Sequence, residues 1–357
     1  MPTSVLRRTI SQLFMVGIPG PTLDADTRRF LTERPPGGVI LFKRNVHSAS
    51  QLRHLIADLH ALGPGVSPLV GIDHEGGRVD RFRMRPFTPF PAAAVVAAAK
   101  SVRLAEAVGE AMGRELAAIG IDIDFAPVLD VWANPRNEVI GDRAYGTTAA
   151  QVARFGVAVA RGLERGGVLP CGKHFPGHGR TLGDSHKVLP RVSASRRALT
   201  TVEIPPFVRA IRAGIPALMS AHVVYPALDP KHPATLSPAI ATSLLRRRLG
   251  FTGVLFSDDL EMQAVAGRAA PERLAPEALA AGCDMLLVCQ SLDVAERAMT
   301  GVEQAIASGA LAPRRVTEAV GRIHDLRRRV PARQPSPRLG WPAHTRLARR
   351  LQLSAVR

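Results

Sequence analysis

The chain has little cysteine, few aromatic residues and no long apolar run. Its three cysteines, Cys171, Cys283 and Cys289, have no spacing that suggests a disulfide framework or a cysteine metal site. Aromatic residues make up 4% of the 357 residues, so the core must consist mostly of Ala, Val, Leu and Ile. No segment approaches the roughly 20 apolar residues of a membrane span, and residues 1–18 lack the apolar region and cleavage site of a signal peptide. We therefore expect a reduced, soluble, cytoplasmic protein without a membrane span.

Basic residues outnumber acidic ones, 47 to 30, which gives a net charge of +17 with histidine neutral. Nearly all the basic side chains are arginines, and they are spread along the chain. Nucleic-acid-binding proteins gather such charge into a patch with aromatic or glycine-rich recognition elements. The body of this sequence shows no such element, so we predict an arginine-rich surface and no nucleic-acid partner. The charge could still draw anionic ligands toward the protein.

Eight short apolar segments recur along the chain, with helical patterns between them. They show little polar alternation, which is typical of parallel strands that are buried on both faces. Eight such strands alternating with helices favour an α/β fold, a single (β/α)8 TIM barrel, over an open doubly wound sheet. The predicted strands cover residues 13–18, 38–42, 69–73, 123–128, 168–173, 217–223, 253–258 and 284–289.

The segments between the strands show helical periodicity. Apolar residues recur every three or four positions, and the clearest pattern ends at Gly120, a typical helix stop. Thr147 or Thr148 is a suitable N-cap for the next helix. The predicted helices include residues 104–119, 152–163, 240–249 and 294–306.

The composition changes after Val330. Residues 331–357 contain four prolines and several arginines but no acidic residue. We expect a poorly ordered basic tail with at most a weak helix over residues 345–353. Contact with an anionic surface is an alternative role for it. The predicted organisation is thus one barrel domain over residues 1–330 and a tail over residues 331–357, without a second domain or an internal repeat.

Polar residues gather where the predicted strands end. In TIM barrels the chemistry lies on the loops that follow the C-terminal ends of the strands. A random sequence would place polar residues at both ends, so this pattern predicts a site at one end of the barrel. The residues concerned are Asp73, Asp130, Lys173, His174, His222 and Asp258.

The densest of these segments is the stretch from Lys173 to His186, KHFPGHGRTLGDSH, which holds three histidines, a lysine and an aspartate among glycines. Within it, Asp184 could bond the ring of His186 and raise the imidazole pKa, which would make a better proton carrier. A solvated turn is the alternative for this pair. The histidines, with His222, could also bind a metal, but no acidic ligand stands at a recognisable spacing, so we predict no metal site.

A second segment, Ser257-Asp258-Asp259, directly follows an apolar run. A carboxylate at a barrel mouth can be a nucleophile, a general acid or base, or a metal ligand. It could equally be the N-cap of the next helix.

Two glycine-bounded loops also carry charge. Asp73 and Arg81 lie in one of them, and both can bind sugar hydroxyls, as an acceptor and as a forked donor. Arg143 lies in the other. The alternative for both loops is a surface turn with internal ion pairs.

Taken together, these motifs closely resemble glycoside hydrolase family 3, and more narrowly its bacterial cytoplasmic β-N-acetylglucosaminidases. The Lys173–Gly179 stretch and the Asp184-Ser185-His186 motif carry the resemblance, which runs in colinear order over roughly residues 10–325 and makes chance agreement remote. The other segments that carry it are residues 37–42, 73–82, 125–130, 141–146, 221–226, 256–260 and 281–285.

The resemblance implies a retaining β-N-acetylhexosaminidase. Asp258 would be the nucleophile that forms a glycosyl-enzyme intermediate, and His186, held by Asp184, would be the acid/base. An imidazole with a pKa near 6–7 can both donate and accept a proton around neutral pH. The implied substrates are peptidoglycan fragments, N-acetylglucosaminyl-1,6-anhydro-N-acetylmuramyl peptides, in cell-wall recycling. The residues implied to hold the sugar are Asp73, Arg81, Arg143, Lys173 and His174.

The resemblance also implies that no cofactor is needed, and we expect a monomer. Relatives often carry an acidic residue at the position of Arg180, Gln at that of His74 and Ser at that of Glu261; none of these departures removes a catalytic group. The missing second α/β domain favours an N-acetylglucosaminidase over a β-glucosidase. The alternatives are a β-N-acetylglucosaminide phosphorylase, another β-glycosidase of the family, and an inactive sugar-binding protein.

Overall fold

The computed structural model describes residues 3–63, 67–182, 188–332 and 339–355. Parallel strands close into an eight-stranded barrel in which each strand pairs with its neighbours in the chain and the last pairs with the first. The predicted (β/α)8 barrel is confirmed. Its strands are β1 (Phe14–Gly17), β2 (Gly38–Leu41), β3 (Leu69–Ile72), β4 (Ile123–Asp124), β5 (Leu169–Phe175), β6 (Ala217–Ser220), β7 (Val254–Asp259) and β8 (Met285–Val288).

Helices surround the barrel. Among the described residues, none of them is both long enough and apolar enough to cross a membrane. The α-helices are α1 (Thr3–Ser11), α2 (Ala25–Glu33), α3 (Ala49–His60), α4 (Ala93–Ala98), α5 (Val102–Ile119), α6 (Ala149–Gly166), α7 (Arg196–Ala198), α8 (Pro205–Arg212), α9 (Gln263–Ala266), α10 (Pro271–Ala281), α11 (Leu292–Ala307), α12 (Pro313–Arg328) and α13 (Pro342–Ala355).

Shorter elements complete the fold. The predicted helix over residues 240–249 is present, but as a π-helical segment. An antiparallel ribbon pairs Val224–Tyr225 with Asp229–Pro233 after β6. The π-helical segments are Leu199–Glu203 and Ala239–Arg248, and 3-10 turns cover Lys43–Asn45, Gly141–Arg143 and Ala234–Leu236.

The helix signals in the sequence are confirmed where they were clearest. Helix α5 ends at Gly120, which takes a left-handed conformation with φ of 94° that glycine adopts without a steric penalty. Thr148 is the N-cap of α6, and its side chain accepts a hydrogen bond from the backbone N–H of Gln151. Local sequence thus decides where these helices begin and end.

Three strands end two or more residues away from their predicted bounds, and one of them, β6, stops at Ser220 rather than at Val223. Strand β4 stops at Asp124 rather than Val128, because Pro127 has no N–H to donate to the ladder and leaves only an isolated bridge between Val128 and Lys173. Strand β5 continues through Lys173 and His174 to Phe175, which pairs with Ser220 on β6. Lys173 and His174 therefore lie on a barrel strand and not on the loop that follows it.

The described part of the tail is more ordered than expected, and its helix is longer than the weak one predicted over residues 345–353. Residues 342–355 form helix α13, which packs against α4 and α5. Its apolar positions follow the spacing of a helix face, so they can cover a hydrophobic cluster between α5 and α6. The residues of α13 that this contact buries are His344, Ala348 and Leu351.

The N-terminal face of the barrel contains a buried charge cluster around Asp284, whose side chain is fully buried. Its Oδ1 accepts hydrogen bonds from Arg315 at 2.6 Å and Arg322 at 2.9 Å. Its Oδ2 accepts bonds from Arg246 and from the backbone N–H of Leu255. The carboxylate ties β8 to its neighbour β7 and to the outer helix α12.

Replacing Asp284 with Ala is expected to lower the free energy of unfolding by about 3–5 kcal/mol, since it leaves buried guanidinium groups without their anion. Urea titration followed by circular dichroism measures this change. Asp293→Ala removes an exposed carboxylate from the first turn of α11 and should cost less than about 1 kcal/mol. Equal losses in the two variants would contradict the prediction.

Candidate active site

A cavity of about 230 Å³ opens at the C-terminal ends of the barrel strands. Six of the residues predicted from the sequence line it: Asp73, Arg81, Arg143, Lys173, His174 and Asp258. The other two, Asp184 and His186, lie outside the described residues. The cavity is also lined by Glu75, His178 and Asp259.

Lys173 lies at the centre of the charged groups and is only 2% exposed. Its Nζ contacts Asp73 Oδ1 at 2.6 Å and Glu75 Oε1 at 2.7 Å. A guanidinium nitrogen of Arg81 lies 3.4 Å from the other oxygen of Asp73. One ammonium group thus joins the two carboxylates that follow β3 to strand β5.

Arg143 binds Glu75 through two parallel hydrogen bonds of 2.7 and 2.8 Å. Burial alone would raise the pKa of Glu75, but Arg143 and Lys173 outweigh it and hold that pKa well below its usual range. The pKa of Asp73 is lowered in the same way, since Lys173 and Arg81 outweigh its burial. Both carboxylates are therefore ionised at neutral pH and present fixed acceptors to the cavity.

Asp130 organises the two histidines of the strand and the loop that follows it. Its Oδ2 lies 2.7 Å from His174 Nδ1, and its Oδ1 accepts the backbone N–H of His178 at 2.6 Å. Burial and, to a smaller extent, the neighbouring His174 together lower the pKa of His178 to about 4, although Asp130 acts in the opposite direction. His178 is therefore neutral at neutral pH, with its Nδ1 3.0 Å from the hydroxyl of Thr181.

Asp258 reaches the cavity from the end of β7. One of its carboxylate oxygens accepts the backbone N–H of Asp259 at 2.9 Å. Asp259 points instead toward backbone N–H groups of Glu261 and Cys289, and burial raises its pKa to about 7. The following helix has Met262 at its N-cap, so neither aspartate caps it and the alternative of a structural cap is wrong.

Known proteins resemble this chain in both sequence and fold. The family model described as the glycosyl hydrolase family 3 N terminal domain matches residues 5–326. The chain belongs to glycoside hydrolase family 3. A beta-hexosaminidase from Chromobacterium violaceum is 44% identical over 290 residues, which are 79% of this chain and 80% of the relative. One from Methylococcus capsulatus is 42% identical and covers 82% of this chain and 87% of the relative.

Solved structures give the same assignment. A glycoside hydrolase family 3 beta-N-acetylglucosaminidase from Paenibacillus sp. superposes with a TM-score of 0.94 at 37% identity, over 98% of this chain and 68% of that chain. NagZ from Neisseria gonorrhoeae superposes with a TM-score of 0.79 at 35% identity, over 96% of both chains. The family 3 chain described here is a glycoside hydrolase, and beta-hexosaminidases are its relatives.

His222, which the sequence offers as a possible metal ligand, has a structural role in this family 3 enzyme. His222 is buried, with Nδ1 2.9 Å from the Thr235 hydroxyl and Nε2 2.9 Å from the carbonyl oxygen of Asp259. It therefore holds the backbone next to Asp258. In the parts of the chain that the structure describes, no group of three or more His, Cys, Asp or Glu side chains is placed to hold a metal ion.

Sequence reasoning missed two residues of the family 3 site. The sequence does not distinguish Glu75 from the other residues of its loop, and it places Asp130 at a strand end without identifying a partner. The signal for Glu75 was its place two residues after Asp73. The partners of both, Arg143 and His174, are 68 and 44 residues away in the chain, and local spacing could not identify them.

Gly179 illustrates a constraint within the motif itself. A β-carbon at this position would lie 1.6 Å from the carbonyl oxygen of Val131, which is too close for any residue that has a side chain. The loop after β5 must therefore lie directly against the loop after β4, and glycine is required for that close approach.

Proposed function

We propose that this enzyme is a retaining exo-β-N-acetylglucosaminidase with Asp258 as its nucleophile. The observation that supports this best is the cavity itself, which combines one carboxylate at the end of β7 with a buried set of paired charges. Its volume of about 230 Å³ is below the roughly 300–1,000 Å³ of drug-sized ligand pockets. A site of that size suits one terminal sugar ring rather than the interior of a chain.

The charged residues supply complementary groups for a sugar. The carboxylates of Asp73 and Glu75 accept hydrogen bonds, whereas Lys173 and Arg81 donate them. Because these groups already hold one another in place, little side-chain freedom is lost when a sugar hydroxyl binds. In the proposal Asp73, Arg81, Arg143, Lys173 and His174 hold the hydroxyl groups and the acetamido group.

The proposed reaction has two steps. A carboxylate oxygen of Asp258 bonds to the anomeric carbon while the glycosidic bond breaks, and the imidazolium of His186 gives its proton to the leaving oxygen. A water molecule then attacks the anomeric carbon, His186 takes the water's proton, and Asp258 leaves. Two inversions give net retention. The role of His186, with Asp184 as the partner that orients it, is supported by the sequence motif.

The finer assignment of the substrate is supported by the resemblance and by the relatives. The relative from Chromobacterium violaceum is a beta-hexosaminidase, and the one from Paenibacillus sp. is a beta-N-acetylglucosaminidase. We infer that the enzyme releases terminal N-acetylglucosamine from N-acetylglucosaminyl-1,6-anhydro-N-acetylmuramyl peptides in cytoplasmic peptidoglycan recycling. It would act as a monomer, with its catalytic domain over residues 1–330.

Hydrolysis of p-nitrophenyl β-N-acetylglucosaminide is expected, with the β-glucoside turned over at least about 100-fold more slowly, because a site that bonds the acetamido group rejects a substrate lacking it. Purified protein is assayed on both substrates with and without phosphate. Equal rates on both would contradict the proposed specificity. A rate that depends on phosphate, with sugar-1-phosphate as the product, would identify a phosphorylase instead.

A further inference from the structure

The loop after β5 is held by contacts with other elements up to residue 182, where the described part of the loop ends. Residues 177–182, here termed the loop stem, carry an ion pair in which Arg180 Nε donates to Glu203 Oε1 at 2.7 Å. The Arg180 side chain is 32% exposed, whereas the Glu203 side chain is fully buried. Neither residue lines the cavity, so the proposed reaction does not use this pair directly.

Glu203 occupies an unusual position for a carboxylate. It ends the π-helical segment Leu199–Glu203, two residues before the start of α8, and its Oε2 has no hydrogen-bond partner among the described residues. Burial raises its pKa to about 7, although Arg180 acts in the opposite direction. A buried carboxylate with one free oxygen is costly, and apolar packing would fill the same space more cheaply. The presence of a carboxylate at so costly a position therefore indicates a role in placing its partner, Arg180.

The backbone of the stem is held from two other elements. Tyr225 donates its hydroxyl to the carbonyl oxygen of Gly177 at 2.7 Å. Asn137 donates to the carbonyl oxygen of His178 at 2.8 Å. Gly177 also packs closely against Glu203, since a β-carbon at position 177 would lie 2.7 Å from the β-carbon of Glu203. Asn134 also holds the backbone, since its Nδ2 lies 3.2 Å from the carbonyl oxygen of Thr181, and Arg180 adds the ion pair to these attachments.

We propose that Arg180 and Glu203 are positioning residues, which fix the loop stem so that the acid/base of the reaction meets the leaving oxygen. This inference rests on the proposed function. Three residues, 183–185, separate Leu182 from His186, so the α-carbons of these two residues are at most about 14 Å apart. Because so few residues connect the stem to His186, a displacement of the stem also displaces the His186 imidazole. Proton transfer needs donor and acceptor within hydrogen-bond reach, so a small displacement is enough to weaken it.

The test uses the dependence of the rate on the leaving group. A dinitrophenolate leaves with little help from an acid, whereas a sugar alkoxide needs protonation, and general acid catalysis contributes roughly 10²–10⁴-fold. Arg180→Met and Glu203→Gln are therefore expected to lower kcat/KM for N,N′-diacetylchitobiose about 10- to 100-fold. The same variants should lower kcat/KM for 2,4-dinitrophenyl β-N-acetylglucosaminide by less than about threefold. Arg180→Lys should restore part of the loss, because it keeps the charge.

Two reference variants make the outcome decisive. His186→Ala removes the proposed acid/base itself and should show the same dependence on the leaving group, with a larger loss. Arg329→Met breaks an exposed ion pair with Glu164, of 2.7 Å, and should leave both rates unchanged. Equal losses on both substrates in the Arg180 variant would overturn the inference, whether they arise from misfolding or from altered binding.

The failure of the proposed function is recognised separately. If the wild type does not hydrolyse either N-acetylglucosaminide, or His186→Ala shows no dependence on the leaving group, the proposed reaction is wrong. If His186→Ala shows that dependence and Arg180→Met does not, only the positioning role is wrong. Should Glu203→Gln fail to fold, Arg180→Met and Arg180→Lys decide the matter, since Arg180 is partly exposed.

Discussion

Asp258→Ala is expected to lower kcat on p-nitrophenyl β-N-acetylglucosaminide by on the order of 10⁵-fold, as removal of a nucleophile does in other covalent mechanisms. The variant lacks the oxygen that bonds to the anomeric carbon, so the first step loses its covalent route. The fold should be retained, because Asp258 is only half-buried at the strand end. Initial rates and a urea unfolding curve measure the two effects.

Added azide provides the control for this prediction. A small anion can enter the space left by the carboxylate and attack the anomeric carbon from the same face. Azide should therefore restore turnover of the Asp258→Ala variant and give the α-glycosyl azide. A product of β configuration, or a rate within tenfold of the wild type without azide, would contradict the nucleophile assignment.

Lys173→Met is expected to reduce both stability and activity. It leaves Asp73 and Glu75 buried without the cation that they share, and breaking such a pair costs about 3–5 kcal/mol. The same change removes a charged donor from the cavity, which corresponds to roughly 10- to 100-fold in kcat/KM. Urea titration gives the stability and steady-state kinetics gives kcat/KM. Lys231→Met, on the exposed ribbon, should alter stability by less than about 0.5 kcal/mol and serves as the control.

The pH dependence of unfolding provides a second readout for Lys173. The folded pKa values of Asp73 and Glu75 are lowered from their ordinary values of 3.8 and 4.5. Their ionised forms therefore contribute stability above about pH 4.5, and that contribution is lost as the pH falls through the folded pKa values. In Lys173→Met this acid-side loss should shrink. An unchanged slope would mean that Lys173 does not hold these carboxylates ionised.

The fold and the end of the barrel that holds the site could be predicted because both depend on local sequence. Continuous apolar runs indicate buried parallel strands, and Gly120 and Thr148 mark helix ends through their own backbone and side-chain preferences. The C-terminal ends of parallel strands meet on one side of a barrel. Polar residues at those positions, such as Asp73 and Asp258, are therefore predicted to lie together from the sequence.

Partners distant in the chain could not be predicted in this way. Lys173 and Asp73 are 100 residues apart, and His344 and Glu115 are 229 apart. No periodicity links such positions, because their contact depends on how whole strands and helices pack. The same reason explains the tail, whose apolar face is too short to favour a helix in isolation. It becomes helical where the cluster between α5 and α6 covers it.

The sequence by itself determined the eight-stranded barrel, the family and the identity of the residues at its C-terminal end. Only the tertiary structure decided which of them share a proton or a charge: Lys173 between Asp73 and Glu75, Asp130 with His174, and Arg180 with Glu203. The physical reason is that a residue's type and spacing set its chemistry and its element. Its charge state and its orientation depend on neighbours that only the closed barrel brings within 3 Å.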